Sequence, residues 1–148
     1  MDTYAVGTAL AARFGNITPP TGYDAIKLTT ALAPDNISVY PAVIILPPDT
    51  TLSYSMNRQV DEMHVFTVRF IIPRSMGTDR GIKALYAWRD AIVKGAVGNQ
   101  DLDVVGVVSC LVTNVTMGDV SYGADDELLA IDCRTEVRFR SVVSEIGA

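Results

Sequence analysis

The spacing of apolar positions divides the chain into two helical and five extended segments. From Thr3 to Phe14 the residues Val6, Ala9, Leu10 and Phe14 recur at three and four, which predicts a helix with Asp2 or Thr3 as its N-cap and Gly15-Asn16 as its end. Residues 16–40 hold Pro19, Pro20, Gly22 and Pro34 among short apolar pieces, the composition of a long loop with one brief strand or turn of helix near Ile26–Leu32. Pro41–Leu46 reads as a buried strand. Thr51–Arg58 reads as a second, with Leu52, Tyr54 and Met56 on one face and Ser53, Ser55 and Asn57 on the other, the two joined by a Pro47-Pro48-Asp49 turn.

His64–Ile72 carries the clearest alternation, Phe66, Val68, Phe70 and Ile72 against Thr67 and Arg69, and Pro73 closes it. A second helix follows, capped by Thr78 or Asp79 and ended at Gly95 and Gly98. Ile82, Leu85, Trp88 and Ile92 form its apolar stripe, and Lys83, Asp90 and Lys94 face water. Val104–Met117 and Glu127–Val143 are two long strands with a turn region at Gly118–Asp126 between them. In the last strand Leu129, Ile131, Cys133, Val137 and Phe139 alternate with Asp132, Arg134, Glu136, Arg138 and Arg140, so one face is core and the other charged. This order predicts a single α+β domain over residues 1–148, a mostly antiparallel sheet of about five strands with two helices packed on it.

Composition adds exclusions. Hydrophobic residues are 49% of the 148 and charged residues 20%, which fits a folded globular chain and not a disordered one. No apolar run approaches the roughly 18 residues of a membrane span, and Met1-Asp2-Thr3 does not open like a signal peptide. The net charge of −5 argues against a grip on nucleic acid, which needs clustered cations on the phosphates.

Chemistry is sparse. A catalytic reading sets His64 as general base, Asp61 or Glu62 as its orienting partner, and Cys110 or Cys133 as nucleophile. Both cysteines fall in the apolar phase of their strands, where desolvation suppresses the thiolate. A hairpin centred near Ser121-Tyr122 sets Cys110 opposite Cys133 and Val112 opposite Ile131, as small core residues. Acidic pairs at Asp61-Glu62 and Asp125-Asp126-Glu127 lack the spacing of a calcium loop. No phosphate-binding or nucleophile-elbow motif is present, and two cysteines and one histidine fall short of a structural zinc site. The expectation is a non-enzyme without cofactor or metal. The most ordered polar feature is the mixed-sign face of the last strand, which reads either as a solvated sheet face or as a face that meets another subunit, where mixed charges fix register and orientation.

The element order, the run Tyr40-Pro41-Ala42-Val43-Ile44-Ile45-Leu46-Pro47-Pro48, the Arg58–Glu62 stretch leading into the Val65–Ile72 strand, and two closing strands around Tyr122-Gly123 together resemble the tail terminator (tail completion) proteins of long-tailed bacteriophages. The bulk of residues 16–40 leaves the head-tail joining proteins of the neck as an alternative, and the competing class is a small cytosolic enzyme or ligand-binding domain with a pocket between the sheet and the Ile82–Ile92 helix. The resemblance implies a virion structural protein, present in the host cytoplasm during assembly. It implies a hexameric ring on the head-proximal end of the tail tube, which ends tube polymerisation and offers a surface for the head. Its partners would be further copies of itself, the tail tube protein and the head-tail connector proteins. DNA would pass through an acidic lumen without specific binding. Arg58, Asp61, Glu62, Arg134, Glu136 and Arg138 are the candidate contact residues for a neighbouring subunit or partner.

Overall fold

A computed structural model of the chain describes residues 2–32, 37, 39–54, 59–73, 78–96, 102, 104–122 and 125–142. Helix α1 spans Thr3–Gly15; the Asp2 carboxylate accepts from the Ala5 N–H at 3.1 Å, satisfying one of the orphan donors of the first turn. Its stripe of Val6, Leu10, Ala11 and Phe14 is buried. Five strands follow around a second helix: β1 Leu28–Thr30, β2 Ala42–Tyr54, β3 Gln59–Pro73, α2 Thr78–Gly95, β4 Val107–Tyr122 and β5 Asp125–Val142. They form one sheet in the order β1-β2-β3-β5-β4, antiparallel except for the parallel β1–β2 pair. The chain is thus an α+β domain with both helices on one face of the sheet.

The main core lies between the helices and that face. Val43 and Ile45 of β2, Phe66, Val68, Phe70 and Ile72 of β3, and Leu129, Ile131, Cys133 and Val137 of β5 meet Leu10 and Phe14 of α1 and Leu85, Trp88 and Ile92 of α2. Phe70 stands between the helices, its ring centroid 5.8 Å from Phe14 and 6.5 Å from Trp88. A second, smaller cluster of Ile37, Ala42, Ile44, Ile71 and Leu128 covers one corner of the opposite face, where the Tyr40 hydroxyl donates to the Ile37 carbonyl at 2.8 Å. The remainder of that face is open.

Several expectations change. The two strands expected at Pro41–Leu46 and Thr51–Arg58 are one strand, because Pro47-Pro48 forms an irregularity in the pairing between Leu46 and Asp49 and not a turn. A proline cannot donate to the ladder, so the pairing skips the two and resumes. The brief strand near Ile26–Leu32 is real and becomes β1, an edge strand. On α2 the buried line is Ala84, Leu85, Trp88 and Ile92, while Ile82 is 40% exposed. The Thr78 and Asp79 caps, Gly98, and Met56 with its neighbours 55–58 lie outside the described side chains.

The β4–β5 hairpin is also longer than expected. Tyr122 pairs with Asp125, so residues 118–122 and 125–126 of the region read as a turn are strand and the register shifts: Cys110 faces Val137 and Cys133 faces Val115, not each other. The β4 irregularities at Val112/Asn114 and Val107/Ser109 each change the pairing by only one residue and do not cause this shift, which is set at the turn. Just before β4, Gly106 adopts φ +90, and a Cβ built there would overlap the Phe139 ring. Gly106→Ala combines a left-handed backbone cost of about 1–2 kcal/mol with overpacking, and is expected to lower stability by roughly 2–4 kcal/mol in urea unfolding. A loss of only about 1–2 kcal/mol would show that the Phe139 ring swings clear and that the backbone cost alone remains.

Candidate functional site

The strand period of two sorts β3 and β5 into a helix-side set and an open-side set. On the open side Asp61, Val65, Thr67 and Arg69 of β3 stand directly across from Arg140, Glu136, Arg134 and Asp132 of β5. Each cross-strand pair on one face is within side-chain reach. Two of them are ion pairs. Arg69 binds Asp132 through two parallel bonds, Nε to Oδ1 at 2.8 Å and Nη2 to Oδ2 at 3.0 Å, and both side chains are half-buried. The fork of the guanidinium fits a carboxylate edge-on, so this pair fixes orientation as well as charge. Arg140 Nε donates to Asp61 Oδ1 at 2.8 Å, and that bond raises the Arg140 pKa further above its usual value.

Between these two pairs lie Arg134, Glu136 and Arg138. Arg134 and Arg138 are exposed, Glu136 is half-buried, and none of the three makes an ion pair among the described residues. Val65 and Thr67 are short, which opens a groove of about 450 Å3 beside Arg134, walled by Asp49 and Thr51 of β2 and by Asn114 and Thr116 of β4. The surface is polar, mixed in sign and concave. It offers cations and anions at fixed spacing and no nucleophile.

Of the residues named from sequence, Asp61, Arg134, Glu136 and Arg138 come together on this face. Glu62 does not: adjacent strand residues point to opposite sides, so its carboxylate lies on the helix side, where Oε1 is 3.2 Å from His64 Nε2. The same alternation separates the Asp61 and Glu62 carboxylates and prevents them from converging on one cation. Arg58 lies outside the described residues, as do the side chains of Asp125, Asp126 and Glu127. Arg69 and Arg140, absent from the candidate contact set, are the partners that anchor the face. Their alternation was readable, but their pairing depends on β3 lying beside β5, a neighbour relation that crosses α2 and β4 in sequence.

His64 is buried. Its Nδ1 is 2.9 Å from the Thr50 hydroxyl and its Nε2 is 3.2 Å from Glu62 Oε1, so both ring nitrogens have a polar partner. The expected orienting partner is therefore present, but no cysteine is. Cys110 shares a row with His64 across Val137, two strand spacings or ~10 Å away, and Cys133 is further along β5. Burial pushes the Cys110 thiol up to about 11, offset in part by Arg13, and burial with the nearby Asp132 pushes Cys133 up to about 12. Both thiols stay protonated near neutrality. A thiol-reactive disulfide reagent at pH 8 is expected to leave both unmodified in the native protein and to label two per chain in denaturant. Because both values are raised above the ordinary 9.0, the stability tied to the neutral thiols is complete below about pH 9 and is lost as pH climbs toward about 11 and 12. Rapid native labelling would overturn this assignment.

No described helix is long and apolar enough to cross a membrane, and no three His, Cys, Asp or Glu side chains among the described residues gather as a metal-binding group. No protein-family model matches the chain, and no curated protein is detectably similar to it in sequence. Among solved structures, a chain from the virion of a native gene transfer agent (GTA) particle has a similar fold. It has a TM-score of 0.58 and 18% identity, and the match covers 95% of this chain and 95% of that one. At that identity the likeness is one of fold, over nearly the whole of both chains.

Proposed function

We propose that this protein is a structural component of a phage-like virion, a ring-forming subunit that caps the tail tube, ends its polymerisation and offers the surface to which the head attaches. The observation that carries the reading is the near full-length likeness to a chain of a gene transfer agent virion, in which a compact α+β fold is used as a particle component. Two features of this chain agree with it. The open sheet face holds Arg134, Glu136 and Arg138 ready for a neighbour while Arg69–Asp132 and Asp61–Arg140 keep their strands in register. The net charge of −5 per subunit lets DNA pass a ring lumen without adhering to it.

On this reading the protein acts through contacts alone: copies of itself, the tail tube protein, and the connector proteins at the head-tail joint. Size-exclusion chromatography with light scattering is expected to give a closed oligomer of about six chains, and electron microscopy to place it on one end of purified tubes. A monomer at all concentrations would remove the ring. A ring that ignores tube ends and binds the connector would move the protein into the neck.

A further inference from the structure

The residue registers define continuous rows across the whole sheet. Thr29 lies in one row with Val43, Phe70, Ile131 and Met117; Leu28 and Gly118 share the row on one side of it, and Thr30 and Thr116 the row on the other. The two edges of the sheet, β1 and β4, therefore present Leu28–Thr30 and Thr116–Gly118 at the same height. Following the pairings, β1 and β2 run one way, β3 the other, β5 with β2, and β4 with β3. The two edges are antiparallel in sense. A second copy placed beside the first and turned about an axis along the strands thus brings its β1 to the first copy's β4 in the antiparallel arrangement that hairpins use.

The β4 edge is open to such an addition. It is 16 residues long, and among the described residues no strand lies beyond it. Exposed edges are normally blunted by lysine, proline or bulges. Here residues 107–122 contain no Lys and no Pro, Asp119 is their one charged residue, and the bulges leave Asn114–Val120 regular. Within that run Met117 is 41% exposed, and a Cβ added at Gly118 would meet nothing within 4 Å. Thr29 is exposed on the other edge. Arg134 and Arg138 stand one strand in from β4, a spacing of ~4.8 Å that an arginine side chain crosses, so the charged face and the edge form one continuous patch.

We infer that subunits join edge to edge, the Thr116–Gly118 stretch of β4 in one copy pairing antiparallel with Leu28–Thr30 of β1 in the next. This rests on the ring reading and specifies its contact. The two patches differ and lie on opposite sides of the subunit, which is what a heterologous, closing interface needs. Closure then leaves no free sheet edge in the ring.

The double variant Thr29→Cys/Met117→Cys tests the row match, since directly opposed residues on neighbouring antiparallel strands approach within disulfide range. Under mild oxidation it is expected to give a reductant-sensitive ladder of cross-linked chains, with neither single variant doing so. Thr116→Lys, at an exposed position, is expected to keep the native circular dichroism while the oligomer fraction falls at least tenfold. Wild-type rings in light scattering, together with no ladder or with rings that survive Thr116→Lys, overturn the edge contact and leave the ring intact. Wild-type monomers overturn both.

Discussion

Trp88→Ala lowers the free energy of unfolding by ~3–5 kcal/mol, the range for a large aromatic removed from a packed core. Trp88 is 2% exposed and its ring tilts toward Phe70, which touches Phe14 of α1 in turn. This row of three rings is where β3 holds both helices, so the deletion leaves a cavity at the junction of three elements. Collapse around it is limited because Phe70 is held by the β2 and β5 ladders on either side. Urea denaturation followed by circular dichroism reads the loss directly. Ile82→Ala is the matched control: four-tenths exposed, it is expected to change stability by less than about 0.5 kcal/mol. A Trp88 loss below about 1 kcal/mol would mean that α2 docks through another face.

The contrast between Trp88 and Ile82 also marks how far the sequence could be read. Period three-to-four located α2, and period two located the strands, because both signals report burial of one face. Size favours Ile82 over Ala84 for the stripe, but it is Ala84 that is buried and Ile82 that is exposed. Five strands were expected and five are present, yet by a cancellation. The Pro47-Pro48 pair reads as a strand break but only bulges the strand, and the three residues of β1 are too few to show a period at all. Phase on β5 was correct at every charged position, since Asp132, Arg134, Glu136, Arg138 and Arg140 all avoid the core. Partners could not be read in the same way. Pairing Cys110 with Cys133 needs a turn centred near Ser121-Tyr122, whereas Tyr122 pairs with Asp125 and carries the earlier pairings with it. The Arg69–Asp132 and Asp61–Arg140 pairs required knowing that β5 inserts between β3 and β4, and nothing local in the chain states that order.

Charge reversal of the open face has the largest expected effect on assembly. In a closed ring every subunit presents the same two patches, so one altered residue is repeated at each interface. Arg134 and Arg138 have no ion-pair partner among the described residues of their own chain and project beside β4. Arg134→Glu puts a third acid beside Asp132 and Glu136 on the same face of β5, and Arg138→Glu puts a second beside Glu136. If the arginines are desolvated against a neighbour, removing one costs ~2–5 kcal/mol per interface, and around a ring that suffices to leave monomers; at a solvated rim the change would fall mainly on association rate and salt dependence. Neither arginine packs in the core, so the fold is expected to survive, with circular dichroism and the urea midpoint close to wild type. The expected result is folded monomers in light scattering for each single variant, with partial recovery of the ring at high salt, where repulsion between the new acids is screened. Rings that persist unchanged through both reversals would show that this face is a solvated sheet surface and that the subunits meet without it.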